Sequence, residues 1–224
     1  MGESGSSASS SFSSSSENCC FEEAESGTPL SAIAEAFEEL SLSLKESNLL
    51  RLGPFSDSCS LVSVLFGCLG FAFKFAELEY VAKVHDLLEA SKTYETLSDI
   101  LDHDVEHDTV RKPGSHSRNL RRVRLGLDLI KALFEQFLSS NECSLKDAAS
   151  TAYAQVCAPY HTWVIRKAVG TGMYALPTRE QLLLKLNETD HSVQKEMRRY
   201  IDASIPIIQY IDKLYLSRNI TLDW

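Results

Sequence analysis

From Pro29 onward, apolar residues recur three and four positions apart almost without a break, the period of helices that bury one face. PLSAIAEAFEELSLSLKE, FSDSCSLVSVLFGCLGFAF, FAELEYVAKVHDLLEAS and YETLSDILDHDVEHD each read as a helix, and no run alternates convincingly as a strand would. After the turn signal Pro113-Gly114, with Ser115 or Ser117 as N-cap, the spacing predicts a long helix running through LGLDLIKALFEQFL. Pro159 opens a further helix with His161 and Trp163 in its first turn, and Pro177-Thr178 starts a short one over TREQLLLKLNE. DHSVQKEMRRYIDASIPIIQYIDKLYLS forms a long last helix that Pro206 kinks or interrupts. The fold class expected is all-α.

Cys59 to Phe73 spans fifteen positions without a charge, too few to cross a bilayer and closed off by Lys74 and Glu77. It reads as a buried helix, apolar nearly all round, that is either enclosed by others or lines an apolar cavity. Ser63, Gly67 and Gly70 leave one side thin enough for close packing or for a ligand chain. Residues 1–28 differ, with ten serines in the first sixteen positions, a composition that buries too little apolar surface to fold. The chain, 44% hydrophobic over its 224 residues, therefore divides into a disordered Ser-rich tail, 1–28, and one helical domain, 29–224, long enough for a sizeable core.

Charge adds a local anomaly. The formal net charge is -9 and the pI about 5.2, which excludes general nucleic-acid binding, because that needs a broad basic surface. Yet Arg111 to Arg124, RKPGSHSRNLRRVR, holds six of the 22 Lys/Arg with no carboxylate. Arg118 and Arg122, four apart, share a helix face, and Arg121 and Arg124 are rotated away from them. Cations at a helix N-terminus oppose its dipole unless an anion is bound, so the cluster is either an anion site or a solvated basic face balancing the acidic stretch Asp99 to Asp108.

The six cysteines, among them Cys19, Cys20 and Cys143, show no metal-like spacing, and no secretory segment precedes them, so free thiols and a cytosolic location are expected. Met1 to Ser6 fits the loose myristoylation pattern, but a plain tail explains it better. Asn187 and Asn219 head Asn-x-Thr triplets read as coincidence. Glu79 and Lys83, at i and i+4, form an ordinary ion pair unless one partner faces inward, where a charge requires partners. His103 to His107 fits H-x-x-E-H, the basis of a metal hydrolase alternative, against which a solvated acidic face is the better reading.

Taken together, FKFAELEYVAKVHDL, VRKPGSHSRNLRRVRLGLD, YAQVCAPYHTWVIRKAVGTGMYALPTR and the closing DW resemble the glycolipid transfer protein superfamily, and within it the accelerated-cell-death type of plant ceramide-1-phosphate transfer protein. The resemblance implies a two-layer all-α sandwich enclosing an apolar lipid pocket with a headgroup site at its mouth. It implies that Lys83, Arg118 and Arg122 bind the phosphate and that His161 donates to the ceramide amide carbonyl. Glu79 falls where the family has an Asp that accepts from the amide N–H. Relatives that prefer sugar headgroups carry a Trp where this chain has Arg122, so the arginine points to phosphate. Trp163 falls at the family's membrane-contacting aromatic. The function implied is non-enzymatic transfer of ceramide-1-phosphate between membranes by a cytosolic monomer that touches membranes transiently, with no cofactor and a connection to programmed cell death. A lipid sensor that acts through protein partners with little transfer is the alternative.

Overall fold

The computed structural model describes residues 27–139 and 144–224, so residues 1–26 of the expected tail, with Cys19 and Cys20, and Cys143 lie outside the described residues. Helix α1 (Pro29–Ser47) begins where Thr28 accepts a hydrogen bond from the Ser31 amide and Pro29 fills the first turn. Thr28, assigned above to the tail, is thus the first cap of the helical domain. Asn48 ends α1 with φ 57°, a left-handed conformation that Asn tolerates. Asn187 and Asn219, the heads of the two Asn-x-Thr triplets, also sit at φ 56° and 57°. Their presence is explained by backbone geometry rather than by modification.

Helices α2 (Leu52–Cys68) and α3 (Lys74–Ala90) are joined by a 3-10 turn over Phe71–Phe73. Gly70 enters that turn at φ 94°. The apolar stretch read as one buried helix is therefore two elements at a corner. It is also not enclosed all round: Leu61 and Val64 face outward, and Phe71 is 94% exposed. The charge-free pattern concealed this because the outward positions of α2 are apolar as well.

After α3 come α4 (Leu97–Glu106), α5 (His116–Ser139), α6 (Leu145–Val156), α7 (Trp163–Gly172), α8 (Arg179–Leu186) and α9 (Asp190–Leu216). Capping boxes at Thr96/Asp99, Thr178/Gln181 and Thr189/Ser192 start α4, α8 and α9. Pro206 lies inside α9 without interrupting it. Pro159 opens only a 3-10 turn, Ala158–Tyr160, and α7 starts later, capped by Thr162, so His161 stands in extended backbone between the two.

Among the described residues the chain is all-α, with one isolated bridge, Arg51 to Thr96, pinning the start of α2 to that of α4. Helix α1 packs on α9 and α2, α2 on α3, α3 on α5, and α5 on α9, so five helices close a ring around one apolar core; α6 lies outside α5. This is the expected two-layer sandwich. Phe37, Phe55, Leu87, Leu120, Leu127 and Ile207 are fully buried in it. At one contact α3 and α5 come unusually close: a Cβ added to Gly126 would lie 2.8 Å from the Tyr80 ring, whose hydroxyl donates to the Cys59 carbonyl at 3.1 Å.

Candidate functional site

Helix α5 carries the basic cluster, and of the two expected caps the structure selects one. Ser115 is the cap, its hydroxyl accepting from the Arg118 amide at 3.1 Å. Ser117 instead donates its amide to the Asp104 carboxylate at 2.8 Å. Asp104 is only 4% exposed and also accepts from the Thr109 hydroxyl at 2.6 Å. Burial alone would raise its pKa; the hydrogen bonds from Thr109 and Ser117 outweigh that and hold it below the ordinary value. A carboxylate of α4 thus occupies the first turn of α5, while Asp102, Glu106 and Asp108 stay on the solvated face the sequence suggested. Asp102 pairs there with Arg218. An anion at the basic segment would have to be held by its arginines, because Asp104 already answers the helix dipole.

Those arginines have four different fates. Arg124 is neutralised, donating to Asp212 through Nε and Nη2 at 2.8 and 2.6 Å and to Asp128 at 2.6 Å. Arg118 donates from Nη1 to the Arg111 carbonyl at 2.6 Å. Arg121 is 2% exposed, with Nη2 on the Leu222 carbonyl at 2.8 Å, and its Nε and Nη1 have no acceptor among the described residues. Arg122 is half-buried, and no hydrogen bond or ion pair from it is formed with the described residues. Its pKa is lowered by burial first, then by the charges of Arg118 and Arg121. A guanidinium whose charged form is disfavoured by its own neighbours is a site that an anion would relieve.

The facing helix is α3. Asp86 accepts from His116 and Asn119 at 2.8 and 2.9 Å near one end of the contact, and Tyr80 meets Gly126 toward the other. The helices therefore run antiparallel, and Lys83 comes level with Arg122. Lys83 is the inward member of its ion pair with Glu79, 23% exposed against 56%. Its ammonium donates to the Glu79 carboxylate and, at 3.0 Å, to the Glu79 carbonyl.

His161 joins the group from the turn after α6. Burial, then the Arg122 charge, lowers its pKa below the ordinary 6.5, so the ring is neutral near pH 7. Its Nδ1 is 2.9 Å from the Tyr153 hydroxyl. In the tautomer in which Nδ1 accepts from Tyr153, the proton sits on Nε2, which is left as a donor. Trp163 lies further out, 67% exposed, with the Lys167 ammonium 5.0 Å from its ring centroid. Five of the six sequence candidates, Glu79, Lys83, Arg118, Arg122 and His161, thus fall along the α3/α5 contact and the turn beside it, and Trp163 sits on the adjoining surface. Sequence reasoning missed Arg121, Asp104 and Tyr153, whose roles arise from contacts with distant segments that leave no local pattern.

The H-x-x-E-H residues lie at the end of α4. Glu106 ends α4 and His107 is its C-cap, with Nδ1 engaged by the His103 carbonyl at 2.8 Å. Among the described residues no three His, Cys, Asp or Glu side chains are placed to hold a metal ion. The described cysteines Cys59, Cys68 and Cys157 are free and buried. Burial pushes the Cys157 thiol, nearest the cluster, up to about 11, well away from nucleophilic range. Two open grooves, about 510 Å³ between α1 and α2 and about 410 Å³ beside Met173 and Arg179, are lined by other residues than the cluster.

Fold and site together describe an all-α protein with cations on two packed helices in front of an apolar core. Comparison with known proteins makes the assignment specific. Residues 50–188 match the family described as Glycolipid transfer protein (GLTP), and the chain belongs to that family. The Arabidopsis thaliana ACD11 homolog protein is 65% identical over 212 residues, covering 92% of this chain and 93% of the relative. Accelerated cell death 11 of the same organism is 51% identical over 204 residues, with 90% and 99% covered. A crystal structure of an Arabidopsis ACD11 mutant complexed with C12 ceramide-1-phosphate superposes with a TM-score of 0.86 at 51% identity, covering 89% of this chain and all of that one. Human ceramide-1-phosphate transfer protein, at 23% identity and a TM-score of 0.71, shares the fold.

Proposed function

We propose that the protein carries ceramide-1-phosphate between membranes without chemical conversion of the lipid. The observation that carries this reading is Arg122, a half-buried guanidinium with no acceptor among the described residues, flanked by Arg118 and level with Lys83. A phosphate monoester brings about -1.5 to -2 charges near pH 7, and two guanidinium forks with one ammonium are its complement. In this reading the phosphate displaces the Glu79 carboxylate from Lys83. Glu79 is then free to accept from the ceramide amide N–H, while Nε2–H of His161 donates to the amide carbonyl. Both are binding contacts, and neither breaks a bond, so no enzymatic step is part of the proposal. The names of the relatives with bound or transferred ceramide-1-phosphate support the same ligand.

The two tails of a ceramide hold on the order of 30 methylenes at roughly 0.8 kcal/mol each in water, so the carrier must enclose them. The apolar core inside the helix ring is the candidate container, with α2 and α3 as its near wall. Entry from a bilayer requires a surface that rests on one. Trp163 and Val164 of α7 are each 67% exposed, and Phe71, Phe75, Tyr174 and Leu184 are exposed as well. Lys146 over the Tyr174 ring and Lys167 over Trp163 place cations at the rings, the composition of a transient membrane-contact face. Among the described residues no helix is long and apolar enough to cross a membrane. The reading includes a cytosolic monomer.

Vesicle-to-vesicle transfer of labelled ceramide-1-phosphate, beside a glycosylated ceramide and sphingomyelin, tests it. Selective movement of the phosphate lipid is expected. Equal movement of the glycolipid would remove the selectivity assigned to Arg122. Tight binding with negligible transfer would favour a sensor.

A further inference from the structure

The closing residues take no part in the reading above, yet they lie on the basic cluster. Arg111 donates from Nη2 to the Thr221 hydroxyl at 2.8 Å, its guanidinium carbon lies 5.4 Å from the Trp224 ring centroid, and Asp223 is 3.6 Å away. Trp224 is itself fixed, its indole N–H donating to the Thr221 carbonyl at 2.7 Å and its ring lying 6.3 Å from Tyr215. Next to it, the Leu222 carbonyl is the one acceptor the buried Arg121 guanidinium has among the described residues.

We infer that residues 221–224 form a strap that positions the headgroup arginines; the inference rests on the phosphate reading of the preceding section. Arg111 sits in the exposed turn that leads into α5. Its neighbours there are held by the Lys112 N–H on the Thr109 carbonyl at 2.8 Å and the Ser115 hydroxyl on the Val110 carbonyl at 3.1 Å, and its own carbonyl is the acceptor that orients the Arg118 guanidinium at 2.6 Å. The strap fixes the Arg111 side chain and so fixes the carbonyl that aims Arg118. The ion pair with Asp223 is exposed on both sides and contributes little. The weight rests on the Trp224 ring and the Thr221 hydroxyl, which hold the guanidinium from two directions. On its inner side the strap touches Arg121, whose guanidinium also lies 5.3 Å from the Tyr160 ring, one residue before His161. The strap, Arg121 and Tyr160 thus join the phosphate cations to the turn that presents the amide-binding histidine. Trp224 and Arg111 are positioning residues: they act on the ligand through Arg118.

The test is equilibrium binding to the full chain by calorimetry, with short-chain ceramide-1-phosphate and the matching ceramide without phosphate as the two probes. Trp224→Ala is expected to weaken the phosphate lipid about tenfold and leave ceramide within about twofold, with some fall in unfolding temperature because the ring packs on Tyr215; Trp224→Phe, which keeps a ring over Arg111, restores binding. In an Arg118→Ala background the effect of Trp224→Ala should shrink, since the two act in series. Equal loss of both probes, or no loss of either, overturns the strap. If Trp224→Ala fails to fold, Thr221→Val, which removes only the hydroxyl, is read the same way. Arg118→Ala alone separates the two claims: if it leaves binding of the phosphate lipid unchanged, the phosphate reading fails; if it impairs binding while the strap variants do not, only the strap fails.

Discussion

Replacing Arg122 by methionine should move stability and binding in opposite directions. In the ligand-free protein the Arg122 guanidinium has no carboxylate or carbonyl among the described residues and is opposed by Arg118 one turn away and by Arg121 beside it. Two cations about 6 Å apart near a protein surface repel by roughly 1 to 3 kcal/mol before salt screening, and about 1 kcal/mol after it. Methionine keeps the apolar stem and removes the charge, so the free protein should gain about 1 kcal/mol, a rise of roughly 2 to 4 °C in Tm for a chain of this size. Binding should show the reverse. A charge-assisted hydrogen bond contributes about 1.5 to 3 kcal/mol, so losing a forked pair should weaken ceramide-1-phosphate by roughly 10²-fold or more. Thermal unfolding of the free protein and calorimetric titration with a short-chain ceramide-1-phosphate measure the two quantities independently. A variant that melts lower than the parent while binding within about twofold would refute the reasoning, because Arg122 would then be an ordinary structural arginine.

Gly126→Ala should destabilise and loosen the α3/α5 contact, since the new Cβ would lie 2.8 Å from the buried Tyr80 ring. An overpacking cost of about 1 to 3 kcal/mol exceeds the gain of at most about 1 kcal/mol in helix propensity, and chemical denaturation gives the sign. Asp104→Ala should leave the Ser117 amide and Thr109 hydroxyl without their buried acceptor, a loss of about 1 to 3 kcal/mol visible in the Tm and in faster hydrogen exchange at the start of α5. The pH dependence of stability should carry a signature of His161. Its folded pKa lies below the unfolded value of about 6.5, so below that pH the unfolded chain takes up a proton the folded one refuses. The contribution is therefore intact above about pH 6.5 and lost as pH falls through that value toward the folded pKa. Comparing the parent with His161→Gln between about pH 7.5 and 5 should show the steeper acid-side decline in the parent; parallel curves would contradict the shift.

The order and type of the elements were determined by local chemistry. Apolar spacing of three and four and capping residues such as Thr178 and Thr189 act within one turn of the chain and start helices there, although Pro159 opened only a 3-10 turn and Thr28 proved to be a cap rather than tail. The residue types of the candidate site were legible for the same reason, because six cations without a carboxylate in fourteen positions stand out against an acidic chain. What each cation does was not legible. Arg121 and Arg124 look alike in sequence and were both read as rotated away. One is a buried donor facing the Leu222 carbonyl, 101 residues away, and the other is clamped by Asp212, 88 residues away, and by the local Asp128. Asp104 looked like part of a solvated acidic face until the fold brought it to the first turn of α5. The tertiary structure alone decides these roles, because whether a charge is paired, buried or free depends on the low-dielectric contacts around it, and distant segments make those contacts. It also decided that the apolar stretch from Cys59 turns a corner at Gly70, since a run of apolar residues states a wish to be buried but not which side finds a partner.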